Sequence, residues 1–324
     1  MKTILLYSAI LLVIISSLLH SEEKANEYAP NINVMLRTKG EQILNEERLL
    51  FYVRNARFAV KGKINEFISY KAEIDWQDED EIDMLDAKIE YKPIDNLNFS
   101  LGQFKQPFSY EYQKNPFDFD FANRNFINKR MNKGLRDIGA MLDYKFTALI
   151  PMHIFIGAYN GNGINTLETD NKKSYSSRID FFPTKGLRFS LSGVKGNLAS
   201  GEVEMSNASI EYNNKYIHFD SEIAQKDYIK DNISYFGFYS VLGYHFYPNT
   251  KYFNKITPAI RWEMYNKDPD IDKESPRRFT AGITFNIPGT LPSYFRLDYE
   301  KYFYKSGIPS GEDKLTLEFA IRVK

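Results

Sequence analysis

Between positions 104 and 136 the chain sets seven basic residues, Lys105, Lys114, Arg124, Lys129, Arg130, Lys133 and Arg136, against three acidic ones, Glu111, Asp118 and Asp120. Seven minus three leaves a local excess of +4, in a chain whose 42 basic and 42 acidic residues cancel as a whole. Cations gathered in one loop attract anions through charge and through the N–H donors they carry. The same stretch carries the rings of Phe104, Phe108, Tyr110, Tyr112, Phe117, Phe119, Phe121 and Phe126. A loop free in water needs no such apolar load; rings make it fold back onto the protein and stay there. A basic loop folded into a passage narrows it and favours anions. The plainer alternative is an external loop with basic decoration.

Other chemistry is thinly represented. Cysteine is absent, which excludes disulfides and cysteine metal sites. No HExxH, Gly-x-Ser-x-Gly or Walker-type glycine loop occurs. Beyond residue 22 the histidines are His153, His218 and His245. His218 and Asp220 share one strand face and form the only pairing that hints at a barrel enzyme; a structural histidine beside solvated acids is the preferred reading. The run Asp78-Glu79-Asp80-Glu81 reads as solvated charge rather than a divalent-cation site. No catalytic residue, metal or cofactor is expected, and balanced charge leaves no footprint for nucleic acid.

The elements that must position the basic loop alternate with period two. Ile68, Tyr70, Ala72, Ile74 and Trp76 fall on one face, and Ser69, Lys71, Glu73 and Asp75 on the other. Residues 278–287 and 313–323 repeat the pattern. Sixteen such strands are expected, from 31–38 to 313–323. Tight turns at 62–65, 92–96, 183–186, 213–215 and 288–292 alternate with longer polar loops at 78–82, 104–136, 161–174 and 266–276, the asymmetry of a bacterial outer-membrane barrel. Residues 1–22 pair a basic start with an apolar run and read as a secretory signal peptide. No later apolar run is long enough for a spanning helix. The fold expected is all-β: a transmembrane antiparallel β-barrel over 23–324, a single domain, with the loop 104–136 turned inward.

If apolar residues face lipid, the other parity faces a lumen. Charges of both signs crowd that parity: Arg57, Lys71, Glu73, Asp75, Arg178, Asp220, Arg261, Glu263, Arg278, Arg296, Asp298, Glu300 and Glu318 among them. So many charges cannot be packed dry without large desolvation costs, so water or mutual pairing is expected around them. Arg54 breaks the pattern, because it falls on the lipid parity. An arginine at mid-bilayer costs about 2–4 kcal/mol in a barrel. A position at the rim or a bulge that shifts the register resolves the conflict. A soluble secreted β protein and a barrel enzyme are the alternatives from other classes.

The run Phe51 to Lys63, the segments Tyr70-Lys71-Ala72-Glu73-Ile74-Asp75 and Leu85 to Tyr91, then Gly102-Gln103-Phe104-Lys105-Gln106-Pro107-Phe108-Ser109-Tyr110-Glu111 and Arg136-Asp137-Ile138-Gly139-Ala140 resemble the phosphate-selective porin O/P family. The resemblance covers roughly residues 50–145. It implies a sixteen-stranded homotrimeric porin in outer-membrane lipid, passing small anionic or polar solutes, with its third external loop folded inward. It makes Arg54, Arg57 and Lys105 the expected anion contacts, with Asp75 and Ser109 at the same narrowing. Loop charge adds Arg124, Arg130, Lys133 and Arg136. Only Arg178 and Arg188 stand in the middle strands where phosphate specialists carry a ladder of arginines, so a non-selective diffusion porin is the alternative within the class.

Overall fold

The computed structural model describes residues 28–76, 82–132, 134–267, 276–304 and 313–323. The signal segment, the Asp78–Glu81 run and Lys133 lie outside them. Sixteen strands are present among the described residues. They are β1 (Asn31–Ile43), β2 (Arg48–Lys63), β3 (Ile68–Trp76), β4 (Ile82–Ile94), β5 (Leu97–Lys105), β6 (Arg136–Thr147), β7 (Pro151–Tyr159) and β8 (Ser174–Thr184). They continue as β9 (Leu187–Leu198), β10 (Gly201–Asn213), β11 (Ile217–Tyr228), β12 (Ile233–Tyr244), β13 (Lys255–Lys267), β14 (Arg277–Ile287), β15 (Ser293–Phe303) and β16 (Lys314–Val323). Each pairs antiparallel with its sequence neighbours, and β1 closes on β16 through Val34↔Val323 to Ile43↔Lys314. Closure leaves no edge strand, as a lipid environment requires of a sheet.

Alternation produces the expected outer face over most of the circumference. Leu315, Leu317, Phe319 and Ile321 on β16 are exposed, while Thr316 and Glu318 are fully buried. The rule inverts over the upper parts of β9 to β12. There Val194, Leu198, Val203 and Met205 are buried, in one apolar cluster with the loop residues Phe108, Ile127, Met131 and Leu135. Their neighbours Lys195 and Glu204 point outward and pair with each other at 3.4 Å. The expectation that apolar residues face lipid and the other parity the lumen is therefore corrected here. One part of the interior is a dry core, because the loop brings its own apolar residues into the barrel. Gly237 on β12 permits the contact: a Cβ there would lie 2.7 Å from Ile127 and 2.9 Å from Met131. The rim asymmetry also needs correction, since the connections 199–200 and 229–232 on the long-loop side are as tight as turns.

Candidate functional site

The segment between β5 and β6 enters the barrel and crosses it. It holds a helical turn, Tyr110–Gln113, a 3-10 turn, Pro116–Asp118, and a π-helical turn, Ile127–Met131. Its aromatic residues are buried: Phe108, Phe117, Phe119, Phe121 and Phe126 expose between 0% and 7% of their surface. The rings thus hold the loop inside, as their abundance predicts.

The loop backbone is bonded to the wall on one side. Arg37 and Lys39 donate to the Ala122 carbonyl at 3.1 and 2.7 Å. Arg261 donates to Asn123 at 3.0 Å, Arg278 to Arg124 at 2.7 Å and Arg296 to Phe119 at 2.5 Å. In return the backbone N–H groups of Ala122 and Phe126 donate to Asp298 and Glu263, each at 2.6 Å. Arg278 also pairs with Glu263 at 2.5 Å and Glu300 at 3.1 Å. These charges are buried. They satisfy one another and the loop, which is how a buried ion network avoids its desolvation cost. Arg178, a candidate for the anion ladder, is committed likewise to Asp180 at 2.6 Å and to the Ser109 carbonyl.

The opposite side gathers most of the expected anion contacts. Across β1 and β2, Arg37 faces Asn55 and Thr38 faces Val53, so Arg54 is the extra residue of a bulge. Before the bulge the odd residues Phe51 and Val53 face outward; after it the even residues Ala56, Phe58 and Val60 do. The bulge turns Arg54 off the lipid face, into a half-buried place where its charge acts on Lys39 and Arg124. Arg57 follows it into the lumen, held by Asp75 at 2.7 Å and Glu73 at 3.1 Å. Asp75 is fully buried and also accepts from Asn55 and the Ala56 N–H. It orients Arg57 rather than meeting a solute. Arg136 pairs with Asp86 at 3.0 Å. Lys105 donates to the Tyr112 and Lys114 carbonyls at 2.6 and 3.1 Å, in the field of Arg136, Arg57 and Arg124.

Arg124 completes this group from the loop. Its guanidinium bonds Asn128 at 3.3 Å and has no carboxylate within ion-pair distance among the described residues. Burial, then Arg54 and Arg57, push it down to about 10. Two expected contacts lie elsewhere. Arg130 is exposed, beside the rings of Phe126 and Tyr265. Ser109 is buried, donates its hydroxyl to Glu222 at 2.6 Å and sits at φ 61°, so it is an anchor of the loop rather than a side chain turned to a solute. His218 is within 2.7 Å of Asp120 on the loop, a partner that strand parity with Asp220 did not indicate.

Two cavities open below the crossing. One, of about 210 Å³, is lined by Arg57, Lys61, Lys71, Glu73, Asn115 and Arg322 among others. The second, of about 400 Å³, is lined by Lys114, Asp120, His218, Asp220, His245 and Lys255 among others. The 3-10 turn between them packs Phe117 against Tyr294 and Met35.

A family comparison decides what kind of barrel this is. Residues 35–194 match the family of phosphate-selective porins O and P. The match runs from β1 into β9 and includes the whole inward loop. With the closed barrel it makes the chain an outer-membrane porin; the family matched over those residues and the fold are those of channel proteins. Solved porins share the architecture at low identity. The anion-selective porin of Comamonas acidovorans is 12% identical, with a TM-score of 0.65 over 91% of this chain and 99% of that one. The outer-membrane channel DcaP of Acinetobacter baumannii is 9% identical, with a TM-score of 0.63 over 93% and 99%. OmpT of Vibrio cholerae, solved in a trimer form, is 11% identical, with a TM-score of 0.61 over 92% and 99%. Comparison of the sequence with curated proteins finds no match.

Proposed function

We propose that this porin prefers anions, phosphate among them, and selects them on the side of the lumen formed by β2 to β6 and the inward loop. The observation that carries this reading is Arg124, a loop guanidinium without a carboxylate partner among the described residues, pressed by Arg54 and Arg57. A cation pressed by two others is poised for an anion that relieves the repulsion. Arg57 and Arg136 add donors held in place by Asp75 and Asp86, while Lys105 fixes the loop that presents Arg124. Arg130 stands at the outer mouth, where it raises the local concentration of anions. The family name and the Comamonas porin's anion selectivity support the same class of solute. The assembly proposed is a homotrimer in outer-membrane lipid, as in the OmpT trimer form.

The reversal potential of the full chain in a planar bilayer under a KCl gradient tests this directly. Chloride preference is the expected sign, with added phosphate reducing chloride current. A cation-preferring potential overturns the anion reading and leaves the porin barrel standing.

A further inference from the structure

The larger cavity lies away from the basic group, and its chemistry is different. Lys114 on the loop sits between Asp220 at 3.0 Å and Asp120 at 3.5 Å. Asp120 also meets His218 Nε2 at 2.7 Å. The imidazole of His218 lies flat against the wall, because Gly243 leaves it room: a Cβ there would sit 1.9 Å from the ring. Its other neighbour is His245, stacked at 5.0 Å with the planes 18° apart. The loop therefore meets β11 through two cations and two carboxylates.

We propose that His218 is the pH-responsive positioning residue of the inward loop, tethering Asp120, and with it the loop crossing, to β11 only while its ring is protonated. The inference rests on the porin reading above for its consequence, although the tether itself is a matter of geometry. Three of the groups around His218 keep one charge state across its change of protonation. Asp120 stays ionised: burial pushes its carboxyl up, but Lys114 and then His218 pull it well below the usual range, and Arg296 on β15 helps. Lys114 stays charged, held well above its ordinary value by Asp120 and Asp220 despite burial. His245 stays neutral, pushed down to about 4 by burial and by Lys255 on β13, so it does not repel the protonated ring. On β10, Glu211 is matched by Arg188 at 2.9 Å. An imidazole changes its charge between about pH 5 and 8. The ion pair with Asp120 exists below that change and is lost as pH rises through it, and Lys114 alone then bridges Asp120 to Asp220 on β11.

The test uses the full chain in planar bilayers, reading single-channel current fluctuations from pH 5 to pH 9. Wild-type fluctuations should rise as the ring deprotonates. His218→Gln should fluctuate at every pH as the wild type does at high pH. His218→Lys, whose charge persists throughout, should stay quiet at every pH. Asp120→Asn, in the loop rather than the wall, should reproduce His218→Gln and serves if the β11 variants do not reach the barrel. Hydrogen exchange over residues 110–120 reads the tether without current, so a silent channel with pH-dependent exchange counts against the porin reading alone. A His218→Gln protein that keeps the wild-type pH profile overturns the proposal, as does a His218→Lys protein that loosens with pH.

Discussion

The two sides of the lumen hold charges of similar number and put them to opposite uses. On the side of β13 to β16 and β1, arginines and carboxylates are buried against the loop backbone; Arg261, Glu263, Arg278 and Glu300 expose at most 2% of their surface. On the side of β2 to β6, the same residue types leave Arg54, Arg124 and Arg136 half-buried. The first arrangement is a fastening, and the second is the filter we propose. A charge with every donor satisfied by protein offers little to a solute, whereas one repelled by its neighbours gains by meeting an anion. Counting charges on the lumenal parity cannot separate the two roles. Their partners do.

The largest expected effect lies in the fastening. Arg278→Ala removes the partner of Glu263 and Glu300 and the donor to the Arg124 carbonyl. Leaving two buried carboxylates without it should cost about 3–5 kcal/mol, read as a lower denaturation midpoint in detergent micelles. Met131→Ala acts on the apolar part of the same contact. Met131 is fully buried under Gly237, and its loss should cost about 2–5 kcal/mol with little change in selectivity. Should either substitution leave stability intact while moving the reversal potential, the division between fastening and filter fails.

A smaller effect separates strain from bonding at the point where the loop leaves β5. Ser109 combines φ 61° with a hydroxyl bonded to Glu222. Ser109→Ala and Ser109→Gly both lose that bond, but only glycine relieves the backbone. The glycine variant should be the more stable of the two by about 1 kcal/mol. Equal stability would mean that Glu222, through the Tyr110 N–H it accepts at 2.6 Å, carries the turn alone.

Sequence reading reached the barrel because its signal is repetitive. Each strand repeats the period, and the turns between them carry their own chemistry, so β8 or β14 is visible in a dozen residues. It reached the inward loop because Phe108 to Phe126 are too apolar for water. It stopped short where a single residue changes phase: the misplaced Arg54 pointed to a rim position or a bulge without deciding between them, and the strand register shows the bulge, which reverses the parity of all that precedes it in β2. It failed at Val194 and Met205, whose burial depends on a loop distant in sequence. His218 was noticed for Asp220, two residues away, because its actual partner Asp120 comes near only when the loop crosses the barrel.

The sharpest test of the comparison moves one charge in the filter without touching the fastening. Arg124 holds the two roles at once: its carbonyl is bonded by Arg278, and its guanidinium faces Arg54 and Arg57. Arg124→Gln keeps the backbone bond and removes the charge, together with the guanidinium's bond to Asn128. Stability should fall by about 1 kcal/mol at most, the worth of the bond to Asn128 that the shorter side chain gives up. Losing one unit charge near the path shifts a monovalent ion's energy by about 1 kcal/mol at contact distances in water. That corresponds to about fivefold in the anion-to-cation permeability ratio. The reversal potential should therefore move toward zero while the denaturation midpoint falls little. If both move far, Arg124 is one more fastening, and the preference for anions must come from Arg54 and Arg57 alone.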